Sequence, residues 1–351
     1  MSFSSLEKKI FNLIEPQIAG ATPGLVLQVH SAGRKICDIS VGETYPYYDL
    51  ASLTKIIFTV QAMMWAFDQD KWKLEAKVSD YLDWFPYKNV KIVELLNHSS
   101  GMLWWSPFYE KIKDMQSRSE KWQQVLQLVR ELPLAPQDTS VYSDVGFITL
   151  GAVLEKIYDK PLLEVWQLLK ENFYPRLTLD FHEDNVPKNP SKYYAPTERC
   201  RWRNRILQGE VHDENAWSLG GVSSHAGLFG SVDDVSWYGL LLRSQWLGVS
   251  KTLIRKKTTE LFTMRSRPMG KGDWALGFML PTKGSSSSGT YFSPLSVGHT
   301  GFTGTSLWYD PNLDLLVVLL SNRVFFGRET KNFASLRPQV HNWIVESLRR
   351  V

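Results

Sequence analysis

The chain has 351 residues, too many for one average hydrophobic core, and this length predicts two lobes or one large α/β unit. Apolar residues make up 43% and charged residues 22%, as in ordinary globular proteins, and an evenly spread net charge of +4 argues against nucleic-acid binding. Residues 1–26 contain neither a signal-peptide pattern nor a membrane-spanning run. Because the two cysteines, Cys37 and Cys200, cannot build a disulfide framework, we expect free thiols and a cytoplasmic protein.

Helices and strands are predicted from the apolar periodicity along the chain. Two strands, at 24–31 and 34–41, follow the first helix and are joined by a short turn. Helical and irregular segments dominate from 101 to 219, and 181–204 is predicted as a long loop. The helices predicted in the first two thirds of the chain lie at 6–18, 52–67, 91–97, 120–132, 145–158 and 162–172.

The last third of the chain changes character. A helix at 233–246, capped by Ser231 or Asp233, precedes a series of strands, and a helix at 332–349 closes the chain. The predicted strands lie at 276–280, 296–300, 305–309 and 315–320. We therefore expect an α/β (α+β) fold, with one antiparallel sheet made from both ends of the chain, flanked by helices, and an inserted helical lobe. The expected boundaries are 1–85 and 230–351 for the sheet domain and 86–229 for the mainly helical lobe.

The first candidate catalytic pair lies at the start of the helix predicted at 52–67. Ser52 and Lys55 form an S-x-x-K string, and this spacing brings both side chains to one face of a helix. A desolvated neutral lysine can accept the proton of a serine hydroxyl, and the first helical turn favours developing negative charge. The alternative is a helix cap beside a solvated lysine. A second S-x-x-K string, at 5–8, is interpreted as surface helix.

The second candidate is the Y-x-D string of Tyr142 and Asp144, which follows a loop and precedes the helix predicted at 145–158. A tyrosine in this position projects into a cleft, where it can hydrogen-bond the nucleophile and relay a proton to the leaving group. The alternative is a buried tyrosine with Asp144 as a helix N-cap. Similar strings at 47–49 and 81–83 lack this placement.

The third candidate is the HTG tripeptide at 299–301, which occurs once. On a strand edge, Gly301 would let a ligand approach the backbone, with His299 and Thr300 beside it. The N–H groups of Phe302 and Ser52 are the predicted donors to an oxyanion. Alternatively, His299 is no more than a polar residue of a strand.

Together the three motifs resemble those of the serine β-lactamase and penicillin-binding-protein superfamily, in particular its class C-like branch of esterases, D-stereospecific peptidases and β-lactamases. Other segments are similar to a bacterial subgroup of that branch. They are LLNHSSGM at 95–102, VHDENA at 211–216, GGVSSHAGLF at 220–229, GHTGFTG at 298–304 and LSNR at 320–323. The resemblance spans nearly the whole chain and implies the sheet and helical lobe of that superfamily.

The resemblance implies that Ser52 is the acylated nucleophile, and that Lys55 and Tyr142 share the role of base. Two positions depart from the superfamily pattern. Asp144 stands where asparagine is common, and an acid there could hold Lys55 charged and weaken it as a base. His299 replaces the lysine of K-T-G, so we expect weaker binding of β-lactams or of a C-terminal D-alanine carboxylate.

No metal or other cofactor is expected. The spacing of His212, Asp213, Glu214 and His225 fits no standard zinc pattern. His212 and Asp213 are predicted instead in the wall of the site, facing the substrate. Trp104 and Trp105 lie beside cleft-forming motifs and could bind an acyl or aryl group, with core packing as the alternative.

The sequence therefore predicts a serine hydrolase that cleaves a small ester, or an amide or peptide with a D-amino acid, through an acyl-enzyme on Ser52. One alternative is a penicillin-binding DD-peptidase or weak class C-like β-lactamase. The residue His299 and the missing export signal argue against this alternative. Another is a non-catalytic ligand-binding or scaffold homologue, which Asp144 leaves open. The expected partner is the small-molecule ester, amide or peptide substrate, and the oligomeric state stays open.

Overall fold

The computed structural model of the protein describes residues 4–135, 138–249 and 252–349. Its strands are β1 (Gly24–Ser31), β2 (Arg34–Gly42), β3 (Tyr48–Asp49), β4 (Asp180–Phe181), β5 (Arg199–Cys200), β6 (Arg205–Ile206), β7 (Leu228–Gly230), β8 (Val297–Thr300), β9 (Ser306–Asp310) and β10 (Leu315–Ser321). The main sheet is antiparallel and has the order β2-β1-β10-β9-β8, so both ends of the chain contribute to it. Smaller sheets have the orders β3-β7-β4 and β5-β6.

Helices cover both faces of the main sheet and fill the middle of the chain. They are α1 (Ser5–Ile14), α2 (Gln61–Asp68), α3 (Ile92–Leu96), α4 (Tyr109–Ile112), α5 (Arg118–Glu131), α6 (Asp144–Tyr158), α7 (Leu162–Phe173), α8 (Glu214–Ser218), α9 (Val232–Leu247), α10 (Lys256–Thr263) and α11 (Asn332–Arg349). A π-helical segment, Lys55–Val60, leads into α2. Short 3₁₀ turns lie at Glu15–Gln17, Val78–Asp80, Glu183–Asn185, Ser191–Tyr193 and Arg323–Phe326.

The apolar strands explain why the main sheet needs helices on both faces. Strand β10 is buried at every position. Because side chains of a strand alternate between faces, a continuous apolar run is stable only when both faces are covered. Val317 and Leu319 belong to the cluster formed with α1 and α11, whereas Leu316 and Val318 belong to the larger cluster that includes α9. The sheet is therefore the middle layer of three.

Capping side chains set the starts of two of these helices. Ser4 and Glu7 form a reciprocal capping box at α1, and Ser231 and Asp234 form another at α9. The expectation of a cap at Ser231 is confirmed, whereas Asp233 lies inside the first turn of α9.

The predicted fold class is confirmed, and the sheet does combine both ends of the chain. Residues from both predicted parts, such as Ile57, Leu150 and Leu316, belong to one hydrophobic cluster. The domain boundaries at 85/86 and 229/230 stay a prediction.

The strand predicted at 276–280 is wrong. Met279 makes only isolated bridges, to Trp274 and to Gly298, and the segment turns at Gly277, whose φ is +91°. A Cβ at Gly277 would lie 2.2 Å from Cγ2 of Val60, so the chain turns where only glycine fits against the helix that follows Ser52.

Within the described residues, none of the helices combines the length and apolar character needed to cross a membrane.

Candidate active site

Ser52 lies in the turn between β3 and the helical segment, not within the helix as its sequence position suggested. The preceding residue, Ala51, has a left-handed φ of 47°, which costs a residue other than glycine roughly 1 kcal/mol. Oδ1 of Asp49 accepts a hydrogen bond from the N–H of Ala51 at 2.8 Å, and Oδ2 accepts one from the N–H of His212 at 2.7 Å. The hydroxyl of Thr303 donates to the carbonyl of Asp49 at 2.7 Å. These bonds hold the strained turn that presents Ser52.

Side chains of two separate segments meet at the hydroxyl of Ser52. Nζ of Lys55 lies 3.0 Å from Oγ of Ser52, and the phenol of Tyr142 donates to the same Oγ at 2.6 Å. Nζ of Lys55 also contacts Oδ1 of Asp144 at 2.6 Å and the carbonyl oxygen of His225 at 2.8 Å. The π-helical segment that begins at Lys55 is a feature often found at functional sites.

The surroundings of Lys55 suit an amine that exchanges a proton. Its side chain is completely buried, and burial lowers its pKa, while the neighbouring carboxylate of Asp144 opposes that shift. A neutral amine can donate its two N–H bonds to Asp144 and to the carbonyl of His225. Its lone pair then faces the hydroxyl of Ser52 and can accept that proton.

Tyr142 is held as a protonated phenol. Burial raises its pKa well above the ordinary value, and the negative field of Asp144 adds to the effect. Its ring packs against the rings of His98, at 4.8 Å between centroids, and Trp274, at 5.7 Å. Nδ1 of His98 accepts a hydrogen bond from the N–H of Ser143 at 3.0 Å, which fixes the orientation of that imidazole. A positioned phenol of this kind donates a proton more readily than it accepts one.

The HTG segment forms the opposite side of the site, along β8. Nδ1 of His299 lies 2.8 Å from the carbonyl oxygen of Thr300, so it carries the ring proton. Burial, together with the positive charge of Lys55, lowers the pKa of His299 to about 3. His299 is therefore neutral at physiological pH and does not supply the cation that a lysine in this position would supply.

Gly301 is required by the packing of the protein itself. A Cβ at this position would lie 2.1 Å from Oγ1 of Thr305 and 2.7 Å from the carbonyl oxygen of Leu50. The turn after β8 therefore packs directly on the turn that precedes Ser52. This close approach couples the two segments that carry the predicted oxyanion donors.

The two predicted donors have no internal partner. In the described parts of the chain, the N–H groups of Ser52 and Phe302 make no hydrogen bond to another protein group. Both residues line one cavity of about 490 Å³. Two unpaired backbone donors beside a nucleophile can stabilise the negative oxygen of a tetrahedral adduct.

The same cavity contains residues that sequence reasoning missed. Trp274 and Met279 are among its apolar residues, and its basic residues are Arg323, Arg328, Lys331 and Arg337. Arg323 is the last residue of the LSNR segment, which carried a signal of resemblance but no assigned role. Neither Trp274 nor Arg337 lies in a recognisable motif, because each reaches the cavity only through the packing of distant segments.

Six predicted site residues do not line this cavity: Lys55, which lies behind Ser52, and Asp144, His212, Asp213, Trp104 and Trp105. Asp144 contacts Nζ of Lys55 rather than the cavity. Nε2 of His212 lies 3.2 Å from Oε2 of Glu198, and its ring is 5.6 Å from that of Phe302. Asp213 caps α8 and pairs with His225 at 2.9 Å.

The two tryptophans lie beside the site rather than in its wall. Trp104 is 61% exposed and stacks on Trp105 at 5.8 Å, and its carbonyl accepts a hydrogen bond from the N–H of Asp144 at 2.8 Å.

Among the residues that the structure describes, no group of three or more His, Cys, Asp or Glu side chains is arranged to hold a metal ion.

Comparison with known proteins gives the class of this fold and site. The family model described as beta-lactamase matches residues 11–338, and the chain therefore belongs to the beta-lactamase family. Among relatives, the N-acetylmuramyl-L-alanine amidase of Bacillus subtilis (strain 168) is 31% identical over 90% of this chain and 80% of its own length. A candidate D-alanyl-D-alanine carboxypeptidase of Escherichia coli (strain K12) is 29% identical over 79% of this chain and 69% of its own length.

A solved structure shows the same fold at lower identity. EstCE1, described as a hydrolase with promiscuous acyltransferase activity, aligns with a TM-score of 0.72 and 20% identity over 96% of this chain and 98% of its own. The resemblance to the superfamily is thus confirmed, and family membership places the chain among serine hydrolases.

Proposed function

We propose that the protein hydrolyses an amide or ester through an acyl-enzyme on Ser52. The observation that carries this proposal is the convergence on one hydroxyl, with Nζ of Lys55 at 3.0 Å and the phenol of Tyr142 at 2.6 Å. Such a pair can remove the proton of the nucleophile and return a proton to the leaving group.

In the proposed reaction, Oγ of Ser52 attacks the substrate carbonyl while neutral Lys55 takes the hydroxyl proton. The negative oxygen of the tetrahedral adduct is stabilised by the N–H groups of Ser52 and Phe302. Tyr142 passes its proton to the leaving amine or alcohol and regains one from Lys55. Water then attacks the acyl-enzyme along the same path, and the acid is released.

The substrate class is proposed from the names of two relatives. A relative that covers most of the chain is named N-acetylmuramyl-L-alanine amidase, so an amide or peptide substrate is the first choice, with small esters as surrogates. A second candidate is D-alanyl-D-alanine carboxypeptidase activity, which the name of the Escherichia coli relative favours. The cytoplasmic location remains part of the proposal and is tested by cell fractionation.

The experiment compares Ser52→Ala with the control Ser5→Ala. Ser5 is the serine of the other S-x-x-K string and is exposed at the start of α1. Hydrolysis of p-nitrophenyl butyrate, muramyl-L-alanine and a D-alanyl-D-alanine peptide is measured for each. We expect Ser52→Ala to lose all turnover and Ser5→Ala to retain it. Unchanged turnover by Ser52→Ala would remove the nucleophile assignment. No turnover by the wild type would favour a ligand-binding or scaffold role.

A further inference from the structure

Asp213 and His225 form a buried pair beside Lys55, outside the cavity that Ser52 lines. His225 is only 1% exposed, and both of its ring nitrogens have a polar neighbour. Nε2 lies 2.9 Å from Oδ1 of Asp213, and Nδ1 lies 2.7 Å from Oγ of Ser223. Because an ionised carboxylate only accepts hydrogen bonds, Nε2 carries the proton of its contact. The two contacts fix the orientation of the ring.

Asp213 is held as a carboxylate by its neighbours. Burial disfavours its charged form, but the imidazole of His225 and the N–H of Ala216 outweigh burial and hold the pKa of Asp213 below its ordinary value. The N–H of Ala216 donates to Oδ1 at 2.8 Å, which makes Asp213 the N-cap of α8. One carboxylate oxygen therefore accepts both the helix cap and the ring proton of His225.

The backbone carbonyl of His225 connects this pair to Lys55. Nζ of Lys55 contacts that carbonyl oxygen at 2.8 Å and Oδ1 of Asp144 at 2.6 Å. A neutral amine has two N–H bonds and one lone pair, so the positions of these two acceptors decide where the lone pair points. With both N–H bonds taken, the lone pair faces Oγ of Ser52, which lies 3.0 Å from Nζ. A shift of the carbonyl would turn the lone pair away from the hydroxyl.

The segment that carries Asp213 also holds the turn before Ser52. The N–H of His212 donates to Oδ2 of Asp49 at 2.7 Å, and Oδ1 of Asp49 accepts an N–H bond of the turn itself. The guanidinium of Arg203 anchors the segment, because Nη2 donates to the carbonyl of His212 at 2.6 Å. One short segment therefore fixes both the nucleophile and the support of the base.

Two carboxylates act on the charge of Lys55. Burial lowers its pKa, and Asp144 and Asp213 both oppose that shift, Asp144 more strongly. Three other titratable side chains near Lys55 are uncharged at neutral pH, because burial lowers the pKa of the two imidazoles and raises the pKa of the phenol: His98, His299 and Tyr142. Asp213 therefore acts on Lys55 through its charge as well as through His225.

We propose that Asp213 is a positioning residue, which orients His225 so that the carbonyl of His225 takes one N–H bond of Lys55. The lone pair of Lys55 is thereby directed at Ser52. This inference rests on the proposed function for its effect on turnover, whereas the action of Asp213 on Lys55 can be measured without turnover. It gives Asp213 a role at the base instead of the substrate contact that its sequence position suggested.

The test uses variants that keep the cap of α8. Asp213→Ser keeps an N-cap, but its shorter side chain loses the ring of His225, whereas Asp213→Asn keeps an acceptor for both and loses only the charge. With p-nitrophenyl butyrate, Asp213→Ser should lower kcat about 10- to 100-fold, the range for loss of a hydrogen bond to a charged group, with KM little changed. Asp213→Asn should lower kcat less than about 5-fold, because a neutral hydrogen bond remains.

Asp68→Ser is the matched control. The side chain of Asp68 is largely buried at the end of α2, pairs with Arg255 at 2.9 Å and accepts the N–H of the same residue at 2.5 Å. Its loss should lower the temperature of thermal unfolding and leave kcat unchanged.

A double variant shows whether Asp213 acts through His225. His225→Ala should lower kcat as much as Asp213→Ser, and the double variant should stay within about 3-fold of either, because both changes act through one carbonyl. A wild-type kcat in folded Asp213→Ser, or losses that multiply in the double variant, would overturn the proposal. Should Asp213→Ser not fold, a wild-type kcat in His225→Ala overturns it equally.

A titration separates this inference from the proposed function. In Ser52→Ala, the titration of Lys55 is followed by NMR with isotope-labelled lysine, and its signal is identified by its absence from Lys55→Arg. Adding Asp213→Ser should move the midpoint to lower pH, because a carboxylate and a fixed acceptor are lost. A midpoint that stays in place contradicts the positioning role, whether or not the protein turns over the ester. If the midpoint moves but the wild type hydrolyses nothing, the proposed function fails and the action of Asp213 on Lys55 stands.

Discussion

Replacing Asp144 by asparagine tests how Lys55 acts as a base. Oδ1 of Asp144 lies 2.6 Å from Nζ of Lys55 and raises the pKa of Lys55 against the lowering effect of burial. Asp144→Asn keeps a hydrogen-bond acceptor and removes the negative charge. An opposite charge at this distance typically shifts a pKa by about 1–3 units, so the pKa of Lys55 should fall by roughly that amount.

The direction of the pH effect follows from the role of Lys55. A base must be neutral to act, so activity is lost as pH falls through the pKa of Lys55. A lower pKa therefore moves the acid limb of kcat/KM to lower pH, by about 1–3 units. The assay is the pH profile of kcat/KM for p-nitrophenyl butyrate in Asp144→Asn, with Asp38→Asn as control, since Asp38 pairs with Lys35 on the exposed face of β2. An acid limb that stays in place, or moves to higher pH, would refute the assignment of Lys55 as the base.

Three further changes test other parts of the site. Tyr142→Phe should lower kcat/KM about 10²- to 10⁴-fold, as expected for loss of a positioned proton donor, and a near wild-type rate would contradict the relay. Asp49→Ala leaves two buried N–H groups without an acceptor, so urea denaturation should show a loss of about 2–4 kcal/mol in the free energy of unfolding; a loss below about 1 kcal/mol would contradict this account of the turn. Gly301→Ala places a Cβ 2.1 Å from Oγ1 of Thr305, so both kcat and thermal stability should fall, and unchanged values of both would show that the turn is not tightly packed.

Local patterns were sufficient to predict much of the fold. The apolar run of β1 and the periodic helix α11 occur with the predicted bounds, because each is long, strongly patterned and flanked by turns. The strand predicted at 276–280 failed because its apolar residues serve a turn at Gly277, and that conformation depends on contact with a helix more than 200 positions earlier in the chain.

The sequence predicts those residues of the candidate site whose chemistry can be recognised from a short motif. Ser52, Lys55 and Tyr142 could be named because their residue types and spacing have a chemical meaning, and the structure brings their side chains together. Arg337 could not be named, because a basic residue on an amphipathic helix has no local feature that distinguishes a cavity wall from solvent. The neutral state of His299 likewise depends on burial, which only the packed structure shows.

The nucleophile is tested most directly by trapping the covalent adduct. The protein is incubated with a fluorophosphonate, and the modified peptide is mapped by mass spectrometry. We predict one adduct, on Ser52, which is absent from Ser52→Ala and slowed in Lys55→Ala. Labelling of another residue, or no labelling of a folded wild-type protein, would contradict the acyl-enzyme account.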